Sequence, residues 1–314
     1  MVATSFEGGK TVPANGSIHV AFDRVLHPAS VNRQAALVLE ASGRPVGNPI
    51  VSYDPVARVL SLASPNEQGA RWLTPKQPYL LVLTHPEEEN SPGGVRAFDG
   101  ATLERSQRLS FFAGDEIATG AERSLELRGF DPRVEFCRDV LPVFVNTCAG
   151  GTCHGASAVV SGAASRPATG LLLETPLGVL NTAVGRVARA TNTGNLPAAA
   201  PPSRVFGVDM AVVEPGNPAA SFMLYKLMLA APREPGPPAT APVGATASEP
   251  QTMPTHLAAQ PLGDDERERL RDAVQGMPMP YPGFAANLTV AELARLRAWI
   301  AQGARVDQCE AGSP

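Results

Sequence analysis

The spacing of apolar residues changes near residue 115, and this change constrains the fold more than any other feature of the chain. Before it, short runs alternate apolar and polar residues, and in Ser17–Phe22 the residues Ile18, Val20 and Phe22 fall on one face. Further short apolar runs are Ala36–Glu40, Pro49–Tyr53, Val59–Leu62, Tyr79–Thr84 and Arg108–Phe112. Clusters of turn-forming residues separate these runs. Several short strands at this spacing predict an all-β sandwich over residues 1–114.

From residue 134 onward, apolar residues recur at the spacing of a helix. Val134–Thr147 carries apolar residues at helical spacing, with an expected bend at Pro142. Asn217, which a proline follows, has the pattern of a helix N-cap. Thr289 begins a capping box, and Gly303 is expected to end the helix that follows. These signals predict an all-α domain.

The predicted organisation is therefore multidomain, with a sandwich at 1–114, a linker at 115–133 and a helical domain at 134–310. The chain contains 31 prolines and 29 glycines, so we expect many turns and long connections. A Pro-, Ala- and Thr-rich stretch at about 231–255 matches neither period, and it is interpreted as an insertion in the helical domain.

Charge and hydropathy exclude some classes of partner. The net charge of −4 shows no excess of basic residues, which argues against nucleic acid as a partner. No run of about 20 apolar residues is present, so no membrane-spanning segment is predicted. The first ten residues lack the charged and apolar regions of a secretory signal.

The order of the predicted strands is similar to that of a known domain. The segments VPANGSIHVAFDRVLHPASV, YDPVARVLSL, WLTPKQPYLLVL and DGATLERSQRLSFFAG resemble the bacterial Ig-like domain of S-layer and other surface proteins. The resemblance covers nearly all of residues 5–114. It implies that this part acts as a spacer or a docking module.

The segment CAGGTCHG is the most informative for chemistry. Cys148 and Cys153 are separated by four residues, and His154 follows the second cysteine directly. A local disulfide beside a surface histidine is one interpretation of this pattern. A zinc site is disfavoured, because zinc takes four ligands and the sequence has no second Cys/His pair. Covalent attachment of haem is the third interpretation, since its usual motif is two cysteines separated by two residues and followed by histidine.

The remainder of this domain favours the third interpretation. The order VLPVFVNTC, CHG, GLLLETP, NPAASFMLYKL, GMPMPYPG and LTVAELARLRAWIAQGA resembles a small mono-haem c-type cytochrome over residues 134–309, apart from the insertion. The spacer between the cysteines is two residues longer than usual. Its glycines, Gly150 and Gly151, have the conformational freedom that such a bulge requires.

The resemblance implies a set of ligands for one haem c. Cys148 and Cys153 would bind it covalently, His154 would ligate the iron, and Met279 would be the second axial ligand, with Met277 as the alternative. His256 is a further alternative, which would give a bis-histidine site. Filled axial positions favour electron transfer over catalysis, so the resemblance implies an electron carrier rather than an enzyme, with redox proteins as partners.

The resemblance also implies a disulfide between Cys137 and Cys309, because the first and last helices of small cytochromes pack together. A disulfide and a covalent haem both indicate the periplasm or the outer cell surface. A signal segment or an N-terminal lipid anchor that precedes this sequence would reconcile that location with its first residues.

Two other functions remain open at this stage. The first is a haem-free structural or binding protein with a degenerate cytochrome-like domain, which the longer spacer favours. The second is a haem sensor or enzyme with an open axial site. His19, His27 and His85 have no paired ligand spacing and receive no role, and Asp264–Asp272 is predicted to be a solvated helix face with pairs such as Asp265 and Arg269.

Overall fold

The structure of the chain is a computed structural model. It describes residues 3–6, 9–64, 71–87, 93–117, 133–149, 153–155, 159–160, 163–164, 170–188, 206, 210–234, 262–274, 276–283 and 285–309. These residues fall into two compact units, the first within residues 1–132 and the second within residues 133–314. Each unit is described by itself.

Among the residues that the structure describes, the first unit contains two four-stranded sheets. Its strands are β1 (Ala3–Thr4), β2 (Val12–Pro13), β3 (Ile18–Ala21), β4 (Ala36–Glu40), β5 (Ile50–Asp54), β6 (Val59–Ala63), β7 (Pro78–Leu83) and β8 (Gln107–Gly114). One sheet has the order β1-β3-β6-β5 and the other the order β2-β8-β7-β4. All pairs are antiparallel except β2 with β8. All six predicted strand regions are confirmed, within one or two residues.

Apolar side chains from both sheets form the core of this unit. Ile18 lies opposite Leu62 in the first sheet, and both side chains are fully buried. Phe6, just after β1, contacts Phe111 of β8 with ring centroids 5.1 Å apart. This contact joins the two sheets, because β1 and β8 belong to different ones. The first unit is therefore a β-sandwich, as its alternating sequence predicts.

The second unit combines short helices with short extended pieces. It contains a π-helical turn at Phe136–Val140, α1 (Leu141–Val143), a π-helical turn at Phe144–Cys148, β9 (Val159–Val160), β10 (Ala163–Ala164), α2 (Pro176–Thr182), a 3₁₀ turn at Pro218–Ala220, α3 (Phe222–Met228), α4 (Asp264–Ala273) and α5 (Val290–Ala301). β9 and β10 form an antiparallel pair. Isolated bridges connect further extended residues, such as Val184 with Val213 and Phe206 with Val274.

The prediction of an all-α second domain is therefore wrong. Within the described residues, its helices are short and are accompanied by a two-stranded sheet and by isolated bridges. The physical reason lies in the prolines and glycines, which end the helices early and leave long connections. The backbone groups of these connections still need hydrogen-bond partners, and several find them in strand-like pairs. The helical periodicity of the sequence predicted the helices at their own positions. It gave no information about the segments between them.

Local helix signals are largely confirmed. Asn217 accepts a hydrogen bond from the backbone N–H of Ala220, although it begins a 3₁₀ turn rather than α3 itself. Thr289 and Glu292 form the predicted capping box, and Gly303 lies just after α5 with φ +102°. In α4 the predicted Asp265–Arg269 pairing is replaced, since Arg269 pairs with Glu266, whose side chain is buried.

Pro142 changes the helix around it. Proline has no amide hydrogen and cannot make the regular helical bond, so the segment 136–148 does not follow one uniform α-helical pattern. On either side the bonds run over five residues, from Leu141 N–H to the carbonyl of Phe136 and from Ala149 N–H to the carbonyl of Phe144. The expected bend is thus a pair of wider turns, a form that often occurs near functional sites.

Candidate functional site

The first helical segment (136–148) and α5 form the framework of the candidate site. Trp299 of α5 contacts the rings of Phe136 and Phe144 at 5.7 Å and 6.0 Å between centroids, and all three side chains are buried. The disulfide between Cys137 and Cys309 joins the start of the segment to the chain just beyond α5. The disulfide that the resemblance implied is thus present.

The other end of the segment carries the first cysteine of the motif. Cys148 is the last residue of the helical segment, and it lies close enough to Glu292, in the first turn of α5, to interact with it electrostatically. The segment and α5 therefore run antiparallel. The disulfide closes one end of this pair, and the thiol of Cys148 lies at the opposite end.

Backbone contacts hold Cys148 and His154 close together. The backbone N–H of His154 donates to the carbonyl oxygen of Cys148 at 3.1 Å. The next residue, Gly155, passes so near to Ala149 that an added Cβ would lie 2.2 Å from its carbonyl oxygen. Residues 150–152 of the spacer lie outside the described residues, so the predicted bulge of Gly150 and Gly151 is not described. The flanking contacts bring residues 148–149 and 154–155 together.

Cys148 and Cys153 are both thiols in this structure. Burial, with smaller contributions from Cys153 and Glu292, raises the pKa of Cys148 to about 12. The two thiols are thus within electrostatic range of each other. A thiol with so high a pKa reacts slowly as a nucleophile at neutral pH, which disfavours a role as a catalytic thiolate.

His154 is held through two contacts with the following extended stretch. Its ring donates a hydrogen bond to the backbone carbonyl of Leu171, and its own carbonyl accepts from the N–H of Leu173 at 2.8 Å. Burial lowers the pKa of His154, and the bond to Leu171 opposes this in part. The ring is therefore neutral at pH 7, with its hydrogen on the nitrogen that faces the carbonyl. Histidines that ligate metals commonly use one nitrogen in this way.

The two candidate methionines differ in burial. The side chain of Met277 is 44% exposed, whereas Met279 is half-buried. The N–H of Met279 donates to the carbonyl of Lys226 in α3 at 3.2 Å, which ties this segment to the helical part of the unit. Burial lowers the pKa of Lys226 to about 8. Burial and this backbone contact favour Met279 over Met277 as a ligand.

Other predicted features lie outside the site or outside the described residues. His256 and most of the insertion at 231–255 are among the residues that the structure does not describe. His19 is buried and hydrogen-bonds to Ser61, His27 caps a 3₁₀ turn, and His85 contacts the carbonyl of Leu103. In the described part of the chain, no group of three or more His, Cys, Asp and Glu side chains is arranged to hold a metal ion. None of the described helices is long and apolar enough to cross a membrane.

Sequence reasoning missed the support of His154 by the stretch Leu171–Leu173 and by Thr182 of α2. The backbone groups of Leu171 and Leu173 bind His154, and this contact does not depend on their apolar side chains. The Thr182 hydroxyl oxygen in turn accepts a hydrogen bond from the backbone N–H of Leu172 at 2.9 Å. No local signal could have revealed this, because a backbone contact between distant segments does not require a particular type of residue.

Comparisons with known proteins place few constraints on the chain. No model of a protein family matches it, and no curated protein does. Among solved structures, the surface-layer protein SbsC (domains 1–6) is 12% identical over 35% of this chain and 14% of its own length, with a TM-score of 0.26. A second structure of it, rSbsC(31-844), gives 12% identity, coverage of 35% and 13%, and the same TM-score.

CopC from Methylosinus trichosporium OB3b is a further similar structure. It is 18% identical over 36% of this chain and 90% of its own length, also with a TM-score of 0.26. The chain thus spans only a small part of the SbsC structures. At a TM-score of 0.26 these likenesses carry no argument about the fold or the function of this chain. The comparisons give no support to the cytochrome resemblance of residues 134–309.

Proposed function

We propose that the chain is an extracytoplasmic electron-transfer protein whose second unit holds one haem through Cys148 and Cys153, with His154 as an iron ligand. The observation that carries this proposal is the hydrogen bond from the His154 ring to the Leu171 carbonyl, beside two neighbouring thiols. Such a bond fixes which ring nitrogen carries the hydrogen and leaves the lone pair on the other.

The residues present fit a covalently attached haem. Two thiols near each other are the groups that form the attachment, and the adjacent neutral imidazole is the group that ligates iron. Met279 is proposed as the second axial ligand, with Met277 as the alternative. Bound by these residues, the haem would supply reversible one-electron transfer. The side chains of Phe144, Leu173 and Trp299 are buried in this unit and would give the haem an apolar surrounding.

The disulfide supports the proposed location. Disulfides persist in oxidising compartments and are rare in the cytosol. The Cys137–Cys309 bond therefore favours the periplasm or the outer cell surface. In this setting the β-sandwich unit is proposed to act as a spacer or docking module, and the second unit to exchange electrons with redox partner proteins. Anchoring through an N-terminal lipid is part of the same proposal.

A second function is favoured by the architecture of the second unit. The mixture of short helices, a two-stranded sheet and isolated bridges differs from the all-α domain that the resemblance implied. This difference, taken by itself, favours a haem-free structural or binding protein over a haem carrier. The geometry around His154 favours the haem carrier, and we therefore place it first.

The experiment that separates the two functions is a measurement of intact mass and visible spectrum after denaturation. The full chain is produced in a periplasm that contains the cytochrome maturation machinery, alongside Cys148→Ser/Cys153→Ser. Cys137→Ser/Cys309→Ser is the matched control, because it also removes two cysteines but leaves the motif intact. We expect one haem to stay on the wild type and on the control, and none on the first variant. A wild-type chain without haem would establish the second function instead.

A further inference from the structure

The stretch Leu171–Leu173 contacts His154 on both sides of Leu172. The carbonyl of Leu171 accepts a hydrogen bond from the His154 ring, and the N–H of Leu173 donates to the His154 carbonyl at 2.8 Å. The orientation of the ring therefore depends on where this extended stretch lies. Leu172, between the two contacts, is the residue through which another element can hold the stretch in place.

Thr182, the last residue of α2, holds Leu172. Its hydroxyl oxygen accepts a hydrogen bond from the N–H of Leu172 at 2.9 Å and lies 3.3 Å from the Leu172 carbonyl. The same hydroxyl lies 2.8 Å from the carbonyl of Gly178, one turn earlier in α2. A hydroxyl group has one hydrogen, and the shorter distance assigns it to Gly178. The oxygen thus bridges the helix backbone and Leu172.

Gly178 allows the helix to approach this closely. A Cβ at this position would lie 2.6 Å from Cγ and 2.9 Å from the carbonyl oxygen of Leu172. The helix and the stretch are therefore in backbone contact, and the Thr182 hydroxyl sets their register. Removal of the hydroxyl would leave the N–H of Leu172 without this acceptor and release one of the constraints on the stretch.

We propose that Thr182 is a positioning residue for His154, which acts through Leu172 to fix the hydrogen bond between the His154 ring and Leu171. The proposal rests on the proposed function in assigning His154 as an iron ligand. The hydroxyl of Thr182 bonds to Leu172 and Gly178, and its effect on His154 travels through the backbone of Leu171 and Leu173. A histidine held in one orientation presents the same nitrogen to a metal at all times.

The test uses Thr182→Val, which keeps the shape of the side chain but removes the hydroxyl, and Thr182→Ser, which retains it. Thr175→Val is the matched control, because Thr175 caps the other end of α2 through the N–H of Gly178 at 3.1 Å. This control weakens the same helix and leaves the bond to Leu172 in place. All variants are made in the full chain.

The first readout needs no haem. The ¹⁵N chemical shifts of the His154 ring, measured in the haem-free chain at about pH 8, report the ratio of its two tautomers, since the ring is neutral there. We expect Thr182→Val to change this ratio about fivefold, the size of one ordinary net hydrogen bond. Thr182→Ser should restore the wild-type ratio, and Thr175→Val should leave it unchanged.

The second readout is the midpoint potential of the haem-loaded chain, which we expect to shift in Thr182→Val alone. Equal effects of Thr182→Val and Thr175→Val on the tautomer ratio would show a merely structural role and overturn the proposal. An unchanged ratio in Thr182→Val would overturn it as well. If the wild type carries no haem, the proposed function fails, and the ¹⁵N shifts still decide whether Thr182 orients His154.

Discussion

The backbone N–H of His154 donates to the carbonyl oxygen of Cys148 at 3.1 Å, so the loop between the first cysteine and the histidine of the motif closes on itself. This single bond explains how a spacer of four residues can keep both ends of the motif together. Gly155 completes the closure, because it passes directly beside Ala149.

We expect Gly155→Ala to open this loop. The added Cβ would lie 2.2 Å from the Ala149 carbonyl oxygen, so the backbone must shift at a cost of about 1–3 kcal/mol. The free energy of unfolding, measured in urea, and the fraction of chains that carry haem should both fall. Gly263→Ala is the matched control, because nothing lies within 4 Å of a Cβ there. Equal stability of the two variants would contradict the close approach.

Removal of the Cys137–Cys309 disulfide should destabilise the second unit. The bond joins residues 172 apart in sequence, and loss of a native disulfide typically costs about 2–5 kcal/mol. The measurement is urea unfolding of Cys137→Ser/Cys309→Ser, followed by the fluorescence of Trp299. Both chains carry Trp72→Phe, since the sequence has only two tryptophans. Reductant should destabilise the parent chain and leave the variant unaffected, whereas an equal response of both would argue against the bond.

The stability of the first unit should depend on pH through His19. This side chain is 3% exposed, and burial lowers its pKa to about 4. Between pH 4 and about 6.5 the unfolded chain binds a proton that the folded chain excludes, so stability rises with pH over this window. The total change is about 3 kcal/mol. It is fully present above pH 6.5 and is lost as the pH falls towards 4.

Urea unfolding at a series of pH values checks this dependence. His19→Gln removes the titrating group, and its unfolding free energy should vary less between pH 4 and 6.5 than that of the wild type. His85→Gln is the control, because His85 is exposed at the end of the β7 region. A wild-type profile that matches the profile of His19→Gln would refute the assignment.

The two methionines should differ in their effect on a bound haem. If Met279 fills the second axial position, Met279→Ala opens it, so carbon monoxide binds the reduced protein and the midpoint potential changes. Met277→Ala, at the more exposed position, should leave both properties unaltered. The reverse result would assign the ligand to Met277. Ready binding of carbon monoxide by the wild type would instead indicate an open site, as in a sensor or an enzyme.

Elements with a strong local signal could be predicted from the sequence. The alternation of Ile18, Val20 and Phe22 marks a strand whatever lies around it, and the structure has β3 there. The capping box of Thr289 and Glu292 is equally local, because both bonds form within the first turn of α5. The cysteine-histidine motif was visible for the same reason, since its three residues lie within seven positions.

The pairing of distant segments was decided only by the tertiary structure. The sequence by itself determined where strands and helices begin, because these depend on neighbouring residues. It did not determine that Thr182 binds Leu172, or that Leu171 accepts from His154, because a backbone carbonyl is the same in every residue. The second unit combines helices with extended pieces for the same reason, because distant segments pair through their backbones. Its extended residues pair with partners far along the chain, such as Phe206 with Val274, and packing alone brings them together.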